Sequence, residues 1–250
     1  MTQEVAWNDG TGDKIYLTYS ASEGDQTISV SSDANTGAAR SKTVTFSATG
    51  TSSVTLTVNQ ESGAPVIPTG YTRVQYLTLN GSGYFELDGA CSEVTDAVEF
   101  DLQLSATTVQ QRFAGNNGAS YRFSLYVNGN GEWAYRQGSS WRTSGIAVDT
   151  NRHTVLYDFY NKVVKVDTTA VTMPGSGASG TVHCYFAGKY SNYPRFAGKI
   201  YGLKYWRNGT LIKNYIMLRD DNNSPYVYDL VAQAFVTIGG SGTTVGPDYE

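Results

Sequence analysis

The sequence predicts an all-β protein made of a small sandwich followed by a larger one, and three observations predict it. Short runs of alternating apolar and polar side chains recur along most of the 250-residue chain, which is the period of a half-buried strand. The same runs are rich in Thr, Ser, Val and Tyr, with 19 tyrosines in all, residue types that fit a pleated surface. No window sustains the 3.6-residue apolar spacing of an amphipathic helix.

Residues 1–62 form the first unit. They hold 21 Ser or Thr and 3 basic against 7 acidic side chains, whereas the remainder balances 15 against 15, so the whole net charge of −4 falls in this unit. Ile15, Leu17 and Tyr19 alternate with Tyr16 and Thr18, and Ile28 and Val30 with Thr27 and Ser29. Val44, Phe46 and Ala48 then alternate with Thr43, Thr45 and Ser47, and Val54, Leu56 and Val58 with Thr55, Thr57 and Asn59. One apolar face per strand implies two antiparallel sheets facing each other across a thin core, with turns at 32–37 and 48–50. Trp7 and Tyr19 are expected in that core. A unit of this size lies near the lower limit for a sandwich without a disulfide.

A linker over 63–70 contains Pro65 and Pro68, which makes it semi-rigid. The second domain is expected over 71–250. Val98, Phe100, Leu102 and Leu104 share one face of a strand; so do Phe123, Leu125 and Val127, opposite Ser124 and Tyr126. Val155, Tyr157 and Phe159 lead into a tight hairpin at Asn161-Lys162 and on to Val164 and Val166. The stretch 198–206 is apolar on both faces, as a central strand covered on both sides would be. A succession of short strands at this spacing predicts a jelly-roll sandwich.

Composition removes several function classes. The acidic balance, with a sequence pI near 5.2, lacks the basic stripe that a nucleic-acid binder needs. No apolar run reaches the roughly 20 residues of a membrane helix, so no membrane insertion is expected. Cys91 and Cys184 are too few and too far apart for a disulfide framework or a zinc knuckle; two free, partly buried thiols or one long-range disulfide remain. The first residues, MTQEV, carry neither a basic n-region nor an apolar h-region, so no secretory signal is expected.

Two resemblances follow from particular runs. GDQTISV at 24–30, Asn35, RSKTVTF at 40–46 and LTVNQ at 56–60 resemble BACON-type immunoglobulin-like modules of Bacteroidetes surface proteins and of their bacteriophages. That resemblance implies an Ig-like sandwich; the family's name implies carbohydrate binding, while many members look like spacers or anchors. PTGYTRVQYL at 68–77 with GSGYF at 81–85, then GKIY at 198–201, KYWRNG at 204–209, YDLV at 228–231, Phe235 and Gly246-Pro247 are similar to the two ends of a concanavalin A-like (laminin G-like) domain. Such domains recur in phage structural proteins and bacterial surface proteins, and the resemblance implies a lectin-like jelly roll.

Candidate chemistry is sparse. Glu99 and Asp101 alternate on one strand face, as glycosidase carboxylates do on such folds, but Gln103 in third place cannot protonate a leaving group; a solvated strand face accounts for both, and no catalytic residue is assigned. His153 and His183 lack triad or zinc spacing. The run 220–223 offers oxygen ligands to calcium, yet reads as a polar loop, and no metal or other cofactor is expected. Asn208 and Asn222 head formal glycosylation sequons. Sugar recognition needs aromatic faces together with amides and Arg; that mixture occurs at Asn116, Tyr121, Trp133, Tyr135, Trp141, Tyr190, Asn192 and Tyr193. Trp133 and Tyr135 share a strand face and fit a core equally well, whereas Tyr190, Asn192 and Tyr193 are expected in a loop.

Three function classes are carried forward. The first, favoured by the absent signal, is a non-enzymatic phage virion protein (capsid decoration, head fibre or tail-associated). It would be anchored through the small domain, display the lectin-like domain at the virion surface, and have capsid proteins, surface glycans and further copies of itself as partners. The second is a bacterial cell-surface carbohydrate-binding protein. The third is a glycoside hydrolase.

Overall fold

A computed structural model describes residues 2–7, 12–19, 27–35, 39–47, 52–61, 63, 66–107, 110–116, 123–175, 177, 180–187 and 195–250. The chain is all-β, with no helix among the described residues, and divides into two compact units, Met1–Val66 and Ile67–Glu250.

The first unit has β1 (Thr2–Ala6), β2 (Lys14–Thr18), β3 (Ser29–Ser32), β4 (Arg40–Phe46) and β5 (Val54–Gln60). They form an antiparallel sheet β1-β2-β3 and an antiparallel pair β4-β5. Ile15 and Leu17 are fully buried, with Trp7 and Val44, and Ile28, Phe46, Leu56 and Val58 pack against them. Arg40 lies 4.5 Å from the centre of the Trp7 ring and bonds Asp13 and Gln60 at 2.9 and 2.8 Å, so one cation closes the core from its rim. Tyr19 is half-buried. Two expected core positions are corrected: Val30 and Val54 are 42% and 66% exposed. Val30 is on β3, at the margin of the three-stranded sheet, and Val54 is the first residue of β5, at the end of the two-stranded pair, so each sits at a margin of its sheet.

The second unit begins with β6 (Tyr71–Arg73), β7 (Leu77–Asn80), β8 (Tyr84–Cys91), β9 (Asp96–Leu104), β10 (Gln111–Asn116) and β11 (Leu125–Val127). It continues through β12 (Glu132–Gln137), β13 (Ser140–Ala147), β14 (Arg152–Asp158), β15 (Val163–Val166), β16 (Thr169–Thr172) and β17 (Val182–Phe186). The last strands are β18 (Ala197–Arg207), β19 (Thr210–Asp220), β20 (Pro225–Asp229), β21 (Ala234–Val236), β22 (Ile238–Gly239) and β23 (Thr243–Val245). One sheet runs β13-β12-β11-β10-β17-β8-β22; the other runs β16-β15-β14-β9-β18-β19-β20-β21 and takes in β6, β7 and β23.

The inward faces meet in an aromatic core. Phe100 lies against Phe113 and Phe186 at 5.8 and 5.5 Å, and Tyr157 against Phe113 and Tyr135 at 6.0 and 6.2 Å. Such ring pairs add to the area that they bury. Val98, Phe100, Leu102 and Leu104 all point into this core, as the alternation predicts. Phe123 is buried too, but its φ of 53° takes it out of the strand. The hairpin after β14 is a four-residue loop, since Asp158 pairs with Val163, and the Asp158 carboxylate ties it by accepting both N–H groups of Asn161 at 2.8 Å.

The stretch 198–206 is central but not covered on both sides. Ile200, Leu203 and Tyr205 are buried, while Lys199, Tyr201, Lys204 and Trp206 face outward and are partly exposed. Its outward apolar surface is screened by long neighbours instead: Tyr76 packs on Tyr201 at 5.2 Å, and the Arg152 guanidinium lies 3.9 Å from the Tyr201 ring. Gly198 is required where β18 meets β9, because a Cβ there would come within 2.1 Å of the Gln103 carbonyl oxygen.

The sheets are also pinned by a polar hub. Asp96 on β9 is fully buried and accepts from the Ser92 N–H at 2.8 Å, the Thr95 hydroxyl at 2.7 Å and the Tyr205 hydroxyl. Arg207 on β18 donates to Asp96 at 3.3 Å and reaches β8 at Asp88 and the Ala90 carbonyl, 3.2 and 2.8 Å away. Burial, then the neighbouring Cys91 and Asp96, hold the Tyr205 hydroxyl far above its ordinary range, so it stays a donor. Removing one partner from such a buried set is costly. Asp96→Ala is expected to lower stability by about 3–5 kcal/mol, read as a fall in the urea midpoint followed by near-ultraviolet circular dichroism. A loss below about 1 kcal/mol would remove Asp96 from this role.

Candidate functional site

The outward face of the seven-stranded sheet carries the candidate site. In β12, Trp133, Tyr135 and Gln137 point into the core, so Glu132, Ala134 and Arg136 point out. Register then fixes their neighbours: Trp141 lies opposite Arg136, Thr143 and Tyr126 opposite Ala134, and Arg112 opposite Tyr126. Trp141, Arg136, Tyr126 and Arg112 therefore share one face across four strands, with the small Ala134 as its floor.

Trp141 is 45% exposed. Tyr126 meets its ring edge-on at 5.0 Å, and the Arg136 and Arg112 guanidinium carbons lie 5.1 and 6.0 Å from the ring centre. Beside it opens a cleft of about 270 Å³ lined by Gln110, Gln111, Arg112, Tyr126, Asn128 and Trp141, among others. The Arg112 side chain lies along Gly115, where a Cβ would approach its Cδ to 3.1 Å. The aromatic row continues beyond β10: Tyr185 lies opposite Gly115, stacks on His183 at 4.8 Å and meets Tyr84 at 6.0 Å.

A buried carboxylate sets the position of Trp141. Glu93 accepts the Phe123 N–H at 2.9 Å and the Gly138 N–H at 2.6 Å. Gly138 turns the β12–β13 hairpin at φ 61°, a conformation that suits glycine, and its carbonyl accepts from Arg136 Nε at 3.1 Å. At the other end, Glu132 accepts from Asn128 at 2.8 Å and Thr143 at 2.9 Å; those two bonds hold its carboxyl below the ordinary carboxylate range. The result is a flat ring beside amides and guanidinium groups on a rigid sheet, an arrangement able to stack on the apolar face of a sugar and bond its hydroxyls.

Of the residues expected to bind a sugar, Trp141 belongs to this site. Trp133 and Tyr135 do not: at 0% and 2% exposure they are core, because the strand that points Arg136 outward points them inward. Asn116 ends β10; Tyr121, Tyr190, Asn192 and Tyr193 lie outside the described residues. Sequence reasoning passed over Tyr126 and Arg112, while Arg136 lies within the run 133–142 that supplied three of the candidates. For Tyr126 the signal was present, since it alternates with the buried Leu125 and Val127.

The other candidates have local partners. Glu99 pairs with Lys204 at 3.2 Å, and Asp101 holds Arg152 with two bonds of 2.7 and 2.5 Å, both outward on the second sheet. Asp220 accepts the N–H groups of Asn222 and Ser224 at 2.9 and 2.8 Å, bracing its own turn. Among the described residues no group of three or more His, Cys, Asp and Glu is placed to hold a metal. Cys91 and Cys184 are buried free thiols, and burial pushes Cys184 well up. His183 pairs with Glu86 at 3.0 Å.

No family model matches the chain, and no curated relative does either. Among solved structures, the chain is similar to a candidate carbohydrate-binding protein from Bacteroides ovatus, with 11% identity over 98% of this chain and 81% of that one, at a TM-score of 0.49.

His153 is clamped between Asp167 and Asp149 at 2.7 and 2.8 Å. Burial lowers its pKa, but the bonds from Asp167 and then Asp149 outweigh burial and leave it above the ordinary 6.5. A folded-state pKa above the unfolded one gives stability that is complete below about pH 6.5 and is lost as pH rises through the folded value. Asp149 is held below its ordinary 3.8, chiefly by His153, so its share disappears at the acid end. The urea midpoint is therefore expected to fall as pH rises above about 6.5, and His153→Gln to flatten that limb. A wild-type profile already flat there would dismiss the clamp.

Proposed function

We propose that the larger unit is a non-enzymatic glycan-binding module, with the outward face around Trp141 as its site. The observation that carries this reading is an indole half open to solvent on a rigid sheet, beside a cleft lined by aromatic, amide and guanidinium groups. Stacking on an indole is a large part of the free energy with which such faces hold sugars, and the hairpin and Glu93 preorganise the ring at little entropic cost. The ion-paired Glu99 and Asp101 support the non-enzymatic part.

A glycan array followed by titration calorimetry tests the reading. Trp141→Ala is expected to weaken any glycan found by at least tenfold, about 1.4 kcal/mol, with circular dichroism unchanged. Binding that survives Trp141→Ala intact places the site elsewhere.

The setting we propose is a phage particle: the small unit anchors the chain and the larger one meets surface glycans. The resemblance of 24–60 to BACON-type modules and of the ends of 68–247 to concanavalin A-like domains of phage structural proteins supports it. Mass spectrometry of density-purified, nuclease-resistant particles is expected to find the chain in many copies beside the major capsid protein. Recovery only in a bacterial envelope fraction would instead make it a cell-surface carbohydrate-binding protein.

A further inference from the structure

The Trp141 face differs from its surroundings in charge. Outside the first 62 residues the chain is balanced, with 15 basic and 15 acidic side chains, and a cleft of about 260 Å³ on the other sheet includes Glu99 and Asp158 in its lining beside Trp206 and Tyr160. The residues described as lining the Trp141 cleft include Arg112 and no carboxylate. Arg136 stands over the same indole. Two acids lie near it and both are turned to local partners: Glu132 to Asn128 and Thr143, and the buried Glu93 to the Phe123 and Gly138 N–H groups.

We infer that this face selects an anionic sugar residue, one bearing a carboxylate or a sulfate ester, over its neutral counterpart. The inference rests on the glycan-binding reading above. The two guanidinium carbons lie over the Trp141 ring, 5.1 and 6.0 Å from its centre, near enough to meet the substituents of a pyranose seated at that indole. Guanidinium groups present paired, planar donors that match carboxylate and sulfate oxygens, and they desolvate more cheaply than ammonium groups. Arg112 is only 4% exposed, so solvent screens its field less than that of a surface side chain. A neutral sugar would accept ordinary hydrogen bonds from the amides and guanidinium groups; an anionic one turns the guanidinium bonds into stronger, charge-assisted pairs.

The test uses two matched pairs of probes on the full chain: polygalacturonate with its methyl ester, and a sulfated galactan with its desulfated form. Tryptophan fluorescence and calorimetry are read at low and at raised salt. One charged member at least is expected to bind tenfold or more tighter than its neutral partner, with the advantage shrinking as salt rises. Which pair shows it tells carboxylate from sulfate. Arg136→Gln and Arg112→Gln are each expected to bring the charged-to-neutral ratio toward one; Arg136, being partly exposed, keeps the test open if the Arg112 variant fails to fold. Equal binding of charged and neutral members, abolished by Trp141→Ala, would overturn the charge selection and leave the glycan site standing. Binding to none of the four would overturn the charge selection, and a glycan array also without hits would overturn the glycan reading.

Discussion

Two sheets packed only through rings and aliphatic chains can slide, because dispersion and burial are not directional. In the larger unit the buried carboxylate of Asp96 removes that freedom. It sits on β9, takes hydrogen bonds from Tyr205 on β18 and from the Ser92 N–H, and shares Arg207 with Asp88 and the Ala90 carbonyl of β8. Each group has a specific direction, so the set is satisfied at one offset of the sheets. A buried carboxyl group in such a place is tolerable only because its hydrogen-bonding capacity is filled, and a shifted register would leave it unfilled.

The candidate site inherits that offset. Glu93 lies between β8 and β9, close in sequence to Asp96, and reaches the Phe123 and Gly138 N–H groups. One buried carboxylate thus fixes the backbone ahead of β11 and the turn joining β12 to β13. Tyr126 and Trp141 follow within a few residues of those two points. Their edge-to-face contact at 5.0 Å is a consequence of backbone geometry set from beneath, which is why the exposed indole has a defined position without being buried.

Much of this was legible in the residues. Period-two alternation identified β2, β4, β5, β9 and β14 and the inward set Val98, Phe100, Leu102 and Leu104, because side chains in a strand must alternate between faces. It also contained Tyr126 as an outward residue. It misjudged Val30, Val54 and the outer face of β18, where an apolar side chain sits at a margin or under a long neighbour such as Arg152. Alternation says which residues share a face; it does not say how far the opposing sheet extends.

By itself, then, the sequence determined the strand content and the inward sets of the central strands, since both follow from local sterics and from the apolar or polar nature of single side chains. It also put Trp133, Tyr135 and Trp141 forward together as candidates. Only the tertiary structure separated them, placing the first two in the core and the third beside Tyr126, Arg112 and Arg136. Those four come from four strands, and a two-residue turn at Gly138 with its cross-strand register decides which face each one meets. Register is a property of paired strands, set by hydrogen bonds and by anchors such as Glu93 from elsewhere in the chain, and no single strand carries it.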